Sequence, residues 1–496
     1  MFEAAFEALT VVLHPDRIPW LLLGTAVGLT VGVLPGLSGT VGMAILLPFI
    51  FGMDPFSGIA LLIGMAAVVH TADTFPSVLL GVPGSSGSQA TIMDGYPLAR
   101  QGQATRALGA AFLASLFGGV IGGVALFGLI GVIRPLVLFL GSPELFMLAV
   151  FGLSMVGILS RGAPVPGLLA GVLGLLIGGI GAAPAAPVYR FTLDWLYLYD
   201  GVPIAVLALG LFAIPEIIDL LIANRSIASA EKVSGRLLDG VRDVMREKWL
   251  VVRSALIGVG VGAIPGLGGA VVDWISYGIA AQTTRKDNRF GSGDIRGVIA
   301  PEGSNNAKEA GALVPTLLFG IPGSGTTAML LGGLLLMRVT PGPGMVTRDL
   351  DITLAIIWTL VLANVIAAGA CFLLSKQIAK ISFVPATILV PLLLIVMVAA
   401  SYQSSRAWGD IITLLVIGFV GWVMKQLAWP RAPVLIGFVL APAVERYLWI
   451  SISRYGLEWL TFPGVIIIGI VTVVVLYGAI RYRHTAAPAV GAPDRD

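Results

Sequence analysis

Apolar residues fall in long unbroken runs, with neither strict alternation nor one-sided helical periodicity. The runs cover 18–51, 56–69, 107–133, 136–159, 163–181 and 201–224. After a polar interval they resume at 251–281, 311–337, 350–375, 383–400, 408–427, 431–443 and 461–480. A helix crosses a bilayer with roughly 20 apolar residues, or fewer where it is broken or re-entrant. Some runs are too long for one crossing and others too short. The pattern therefore predicts an all-α polytopic membrane protein with about 10–14 membrane segments.

Two polar intervals interrupt the runs. Residues 225–250 carry Arg225, Lys232, Arg236, Arg242, Arg246 and Lys248 among acids. This reads as a charged linker between a first half, 1–224, and a second half, 251–482. The positive-inside rule places it in the cytoplasm. The interval 282–309 is Gly-rich and polar, and is a candidate to enter the protein interior. The tail 483–496 is small and polar and is expected to be disordered. At the start, Phe2, Ala5, Phe6, Leu9, Val12 and Leu13 recur at helical spacing. They form either an interfacial helix or a stub packed on the bundle. Met1-Phe2-Glu3 lacks a basic n-region, so no cleavable leader is expected.

An internal repeat runs through both halves. Gly32-Val33-Leu34-Pro35-Gly36-Leu37-Ser38-Gly39 is matched by Gly262-Ala263-Ile264-Pro265-Gly266-Leu267-Gly268-Gly269. Gly81-Val82-Pro83-Gly84-Ser85 is matched, in the same order, by Gly320-Ile321-Pro322-Gly323-Ser324. Proline removes a backbone donor and clashes with the preceding turn, while glycine loosens the chain. Pro35, Gly36, Pro83, Pro265, Gly266 and Pro322 are therefore expected to break helices, giving Pro-Gly-broken helices or re-entrant hairpins in two repeats of inverted orientation. Broken backbone survives at membrane depth only where protein or a polar cavity satisfies it. A half-helix starting after Pro-Gly turns its free N–H groups and positive dipole end toward that cavity, where an anion fits. Paired breaks of this kind are the sequence mark of a transport site. Plain packing kinks are the alternative.

Small polar residues crowd the breaks. Ser38 and Thr40 follow the first, and Gly84, Ser85, Ser86 and Ser88 the second. Gly323, Ser324, Thr326 and Thr327 are their counterparts in the other half. Hydroxyls donate to a carboxylate and offer oxygen to a cation, but they also suit close helix packing. Asn305 and Asn306, in the run Pro301–Glu309, would either line the substrate path or cap the helix that follows. The ionisable candidates for coupling are His70, Asp73, Asp273 and Glu302, with Asp54, Asp94 and Glu309 nearby. His70 and Asp73 share a helical face. They read as a proton-handling pair or as a membrane-edge pair in water.

Composition narrows the function. The 496 residues are 57% hydrophobic and 11% charged, against about 25% charged in soluble domains. The mean hydropathy of +0.95 leaves no surface for a water-soluble fold. A net charge of +3 gives no nucleic-acid footprint. One cysteine, Cys371, and three dispersed histidines give no disulfide, resident metal or cofactor site, although transient sodium binding stays open. The glycine-rich turns lack the lysine of a nucleotide-binding loop. No convergent nucleophile and base suggests an enzyme. An anion-conducting channel is the other reading, but no filter-like ring motif is present.

The stretches LLGVPGSSGSQATIMDGYPLARQG (Leu79–Gly102), APEGSNNAKEAGALVP (Ala300–Pro315) and LFGIPGSGTTAMLLGGLL (Leu318–Leu335), with Gly32–Gly39 and Pro341-Gly342-Pro343, resemble the large membrane subunit of tripartite tricarboxylate transporters, the TctA-like permeases. The resemblance covers about residues 10–480. It implies secondary uptake of a tricarboxylate or related organic acid across the bacterial inner membrane, driven by a proton or sodium gradient and without nucleotide. It also implies two partners, a small membrane subunit of about four helices (TctB-like) and a periplasmic solute-binding protein (TctC-like). One stretch departs from the family's pattern. Where Tyr-Gly-Gly and small hydroxyl residues are usual, this chain reads Val69-His70-Thr71-Ala72-Asp73-Thr74-Phe75, which bears on substrate class and coupling ion.

Overall fold

A computed structural model describes residues 1–34, 37–159, 164–223, 236–284, 288–382 and 384–481. Pro35, Gly36, the first part of the charged linker (225–235) and the tail lie outside the described residues. The fold is all-α apart from a small hairpin pairing Gly181–Ala182 with Tyr189–Arg190. Among the described residues, seven helices are long and apolar enough to cross a membrane. Six shorter apolar helices accompany them.

Observed helices differ from the apolar runs in two informative places. The helix Ala104–Phe139 passes straight through Pro135 and joins the expected run 107–133 to the start of the next. Its 36 residues extend about 54 Å, well beyond a hydrocarbon core of about 30 Å. The overhanging end packs on the amphipathic helix Leu237–Arg246, with Arg106 Nε on Asp243 at 2.6 Å. The second difference is the polar run Pro301–Glu309. It lies inside one helix, Arg296–Phe319, which is buried along its length from Gly297 to Leu318. Asn305 and Asn306 therefore sit mid-helix and cap nothing.

Glycine stripes bring the central helices together. Ile18–Val33 lies against the segments Pro55–Ala66 and Val69–Ala72. A Cβ on Gly24, Gly28 or Gly32 would strike the carbonyl oxygens of Leu61, Met65 and Val69. Lys248–Gly262 lies against Arg296–Phe319 in the same manner. Gly258 and Gly262 meet the carbonyls of Ser304 and Lys308, and Gly311 meets that of Val259. Apolar lipid gives helices little hydrophobic reason to associate, so close backbone approach supplies the attraction through dispersion.

Peripheral helices are fastened differently. Glu216 and Asp219 of Ile214–Ala223 hold Lys425, at 2.7 and 2.6 Å, and Glu216 also holds Arg431 at 3.1 Å. The first helix, Phe2–Val12, packs through Ala5, Ala8 and Val12 while Phe2 and Phe6 face outward. Its Ala5 carbonyl accepts from Trp358 Nε1 at 2.7 Å. It is thus a packed stub that also exposes aromatic rings.

Candidate functional site at the helix breaks

Each Pro-Gly-Ser stretch, Pro83–Ser85 and Pro322–Ser324, separates two helices. Arg296–Phe319 ends in a left-handed Gly320 and Gly325–Leu336 follows. In the first half, Thr74–Leu79 ends before a positive-φ Gly81, and a short turn at Ser86–Ser88 leads into Gln89–Leu98. Both restarts carry a reciprocal serine cap. Ser85 Oγ accepts from Gly87 N at 3.1 Å, and Ser85 N donates to Ser88 Oγ at 3.3 Å. Ser324 Oγ accepts from Thr327 N at 3.2 Å, and Ser324 N donates to Thr327 Oγ1 at 2.9 Å. These hydroxyls satisfy amides that a helix start leaves open.

The other breaks lie beside them in crossed pairs. Ile18–Val33 stops before Gly39–Leu46 begins, and that start meets the Ser324 turn. A Cβ on Gly39 would lie 3.5 Å from Thr326 Oγ1, and one on Gly325 3.0 Å from Thr40 Oγ1. Lys248–Gly262 stops before Gly268–Thr283 begins, and that helix meets the Ser85 turn. There Ala90 N donates to Asp273 Oδ2 at 3.1 Å. Gly266 N also reaches the Gly323 carbonyl at 3.0 Å.

Between the breaks lies a buried charged cluster. His70 Nδ1 faces Asp73 Oδ2 at 3.2 Å, and Nε2 faces Glu309 Oε1 at 3.0 Å. Lys308 Nζ lies 2.9 Å from the same Nε2 and pairs with Glu309. Ser85 Oγ donates to Asp73 Oδ2. All four ionisable residues are nearly inaccessible, His70 at 8% and Asp73 at 0%, which excludes the water-exposed pair. Next to them Glu302 accepts from Thr91 at 2.7 Å, Thr74 at 2.9 Å and Ser115 at 3.1 Å. Asn305 Nδ2 donates to the Gly87 carbonyl at 2.7 Å. Asn306 Nδ2 donates to Thr71 at 2.8 Å and Asn364 at 2.6 Å.

The chemistry follows from the two sides of the imidazole. As imidazolium, His70 donates to Asp73 and to Glu309 together. As the neutral ring with Nε2 bare, it accepts from Lys308. The ring thus has two satisfied arrangements that differ by one proton. Among the described residues, the buried carboxyl groups of Asp73, Asp273, Glu302 and Glu309 are accompanied by one buried lysine, Lys308. An organic anion entering here adds further negative charge, which burial makes expensive unless protons or cations accompany it.

Glu309, Thr326, Thr327, Ala66 and Ala67 border a cavity of about 10 Å³, room for one water-sized sphere and too little for a tricarboxylate.

Of the residues singled out from the sequence, His70, Asp73, Ser85, Asn305, Glu302 and Asp273 surround this interior. Thr326 and Thr327 border the cavity, and Ser38 immediately precedes Gly39–Leu46. Asp94 turns out to be a clamp. It accepts from Gly293 N and Asp294 N, both at 2.8 Å, and from Tyr277 Oη at 2.8 Å. Asp294 is buried against its own ionisation, yet bonds from Arg296 hold its carboxyl below the usual range. Lys308, Thr71, Ser115 and Asn364 had escaped notice as partners. Once Pro301–Glu309 is read as helix, Glu302, Asn305, Asn306 and Glu309 fall on one face at i, i+3, i+4 and i+7, a signal that was present in the sequence.

A bundle of membrane-spanning helices, interrupted at a buried polar centre, defines a membrane transport protein. The tripartite tricarboxylate transporter TctA family model matches residues 18–436. The chain belongs to that family. It is a multi-pass permease of the bacterial inner membrane, acting in secondary transport of organic-acid anions, and is not an enzyme. Two relatives from Agrobacterium vitis are similar. An uncharacterized 52.8 kDa protein in the TAR-I ttuC' 3' region is 30% identical over 436 residues, 88% of this chain and 87% of its own. An uncharacterized protein in the TAR-II ttuC' 3' region is 29% identical over 187 residues, 38% of this chain and 77% of its own. No solved structure matches.

Proposed function

We propose that the chain is the large subunit of a three-part carboxylate importer, working with a small membrane subunit and a periplasmic solute-binding protein. Its halves, before and after the charged cytoplasmic linker, act as inverted repeats that rock about the breaks. Support comes from the matched motifs, the two serine caps and the crossed pairing of breaks. The substrate carboxylate sits among the half-helix starts after Gly84 and Gly323, with Thr326 and neighbouring amides as donors. The observation that carries the reading is the buried His70–Asp73–Lys308–Glu309 cluster. It joins segments far apart in sequence, and His70 and Glu309 are separated by 239 positions, as Gly81 and Gly320 are. Equivalent positions of the two repeats thus meet across the axis that would relate them, where rocking can make and break the contact. Proton movement through His70 couples uptake to the gradient. The test is uptake of a labelled carboxylate library by proteoliposomes holding all three components. Accumulation should require both an inward proton gradient and the binding protein. Accumulation without either would defeat the reading.

A further inference from the structure

Near the end of the helix Ala432–Tyr455, Arg446, Trp449, Ile450, Ser453 and Arg454 share one face, spaced i, i+3, i+4, i+7 and i+8. With Pro184 and Ala185 they surround an open cavity of about 420 Å³. Pro184 and Ala185 lie in the turn between the strands Gly181–Ala182 and Tyr189–Arg190. Arg190 fastens this hairpin to the helix by donating to both oxygens of Glu445, at 3.2 and 2.8 Å. Glu445, the neighbour of Arg446 in sequence, is thereby taken. Among the described residues no carboxylate pairs with Arg446 or Arg454. Arg454 lies over the Tyr455 ring, 5.3 Å from its centroid, and as a last-turn cation it suits the negative end of the helix. Arg446 stands about two and a half turns before that end and has no such use.

The face is apolar as well as positive. Trp449 is 47% exposed and Ile450 42%. In the segment that follows the hairpin, Phe191, Leu193 and Leu196 are exposed too. Tryptophan and arginine together at the end of a membrane helix mark the level of the lipid headgroups. A small polycarboxylate would use the arginines and leave the tryptophan and isoleucine bare. A ligand with a negative head and a hydrocarbon body uses both. We propose that this cavity binds an anionic phospholipid of the bilayer, with its phosphate between Arg446 and Arg454 and its acyl chains along Trp449 and Ile450. Guanidinium groups match phosphate oxygens with paired N–H donors. A net anionic headgroup is preferred, because the ammonium of a zwitterionic lipid would face two arginines that no carboxylate neutralises. Basic pockets between membrane helices hold anionic headgroups on the same principle. The site is separate from the buried polar centre, since none of the residues around this cavity belongs to the helix breaks.

The test uses purified full-length chain, stripped of lipid in an uncharged detergent. It is melted at fixed pH and ionic strength with added phosphatidylglycerol, phosphatidylcholine, inorganic phosphate or citrate. The parent should melt higher with phosphatidylglycerol than with phosphatidylcholine. Arg446→Gln combined with Arg454→Gln should raise the half-saturating phosphatidylglycerol concentration about 10-fold or more, as loss of charge-assisted hydrogen bonds does. Arg446→Lys keeps the charge and should keep the preference. Arg242→Gln removes an exposed arginine on the helix Leu237–Arg246 and should leave the preference unchanged, which separates a built site from general attraction to positive charge. Should the double variant fail to fold, phosphatidylglycerol retained by Arg446→Gln alone, counted by native mass spectrometry, should fall below the parent's. Equal responses of the parent to the two lipids, an undiminished preference in the glutamine variants, or an equal loss in Arg242→Gln would overturn the site. Stabilisation by phosphate or citrate that the glutamine variants lose would make it a site for small anions and overturn the lipid. The measurement uses no gradient and no partner subunit, so its failure leaves the transport reading standing.

Discussion

His70 carries more of the account than any other side chain, because each face of its ring meets a carboxylate and one nitrogen also meets an ammonium. Such a group changes partners by gaining or losing one proton. Thr326 tests the substrate side. It borders the small cavity and, among the described residues, its hydroxyl makes no bond that capping would require. Thr326→Ala should remove one charge-assisted bond to a carboxylate, about 1.5–3 kcal/mol, and weaken substrate binding about 10-fold to 150-fold. Parent-like affinity in purified variant protein would place the substrate elsewhere. Asp94 should behave oppositely. Asp94→Ala strands the amides of Gly293 and Asp294, at about 1–3 kcal/mol for each buried group, so the melting temperature should fall while substrate affinity in the folded fraction is kept. His70 and Asp73 were legible from sequence as a pair, because both are ionisable within an apolar stretch. Their burial was not legible, since it depends on Lys308 and Glu309 from the other half.

At the level of elements, glycine sets how closely the broken helices approach. Gly258 faces the Ser304 carbonyl with no room for a Cβ, while Gly260 on the same helix has nothing within 4 Å. Gly258→Leu should therefore destabilise the protein by about 1–3 kcal/mol or more through overpacking, and should displace the helix that carries Asn305 and Glu309. Gly260→Leu should be tolerated. Equal melting temperatures for the two variants would show that the stripe is not a packing face. Helices end shortly before Pro83, Pro265 and Pro322, where Pro-Gly inside an apolar run would interrupt them. The helix Arg296–Phe319 was not legible in the sequence. Its buried side chains include Glu302, Asn305, Asn306, Lys308 and Glu309, so hydropathy reads it as a loop. Only tertiary partners make such a helix stable inside a membrane protein.

Across the whole molecule, the proposed inversion of the halves makes a topological prediction. Ile18–Val33 and Lys248–Gly262 begin at matched places, so Asp16 and Lys248 should lie on opposite sides of the membrane. Cys371 is buried and stays silent to reagents. An impermeant thiol reagent added to intact cells should label Asp16→Cys and spare Lys248→Cys; labelling of both would defeat inversion. The matched motifs that suggest a duplication are visible in the sequence, whereas the contacts of Gly39 with Thr326 and of Thr40 with Gly325 depend on chain direction in space and are not. The central claim is that the buried cluster couples anion movement to a proton gradient. It is tested most directly by Glu309→Gln in proteoliposomes with the partner subunits, comparing gradient-driven accumulation with substrate exchange at equilibrium. The amide keeps the shape and loses the charge that meets His70 and Lys308. The account predicts that exchange persists while accumulation is lost. A Glu309→Gln variant that accumulates substrate like the parent would contradict it.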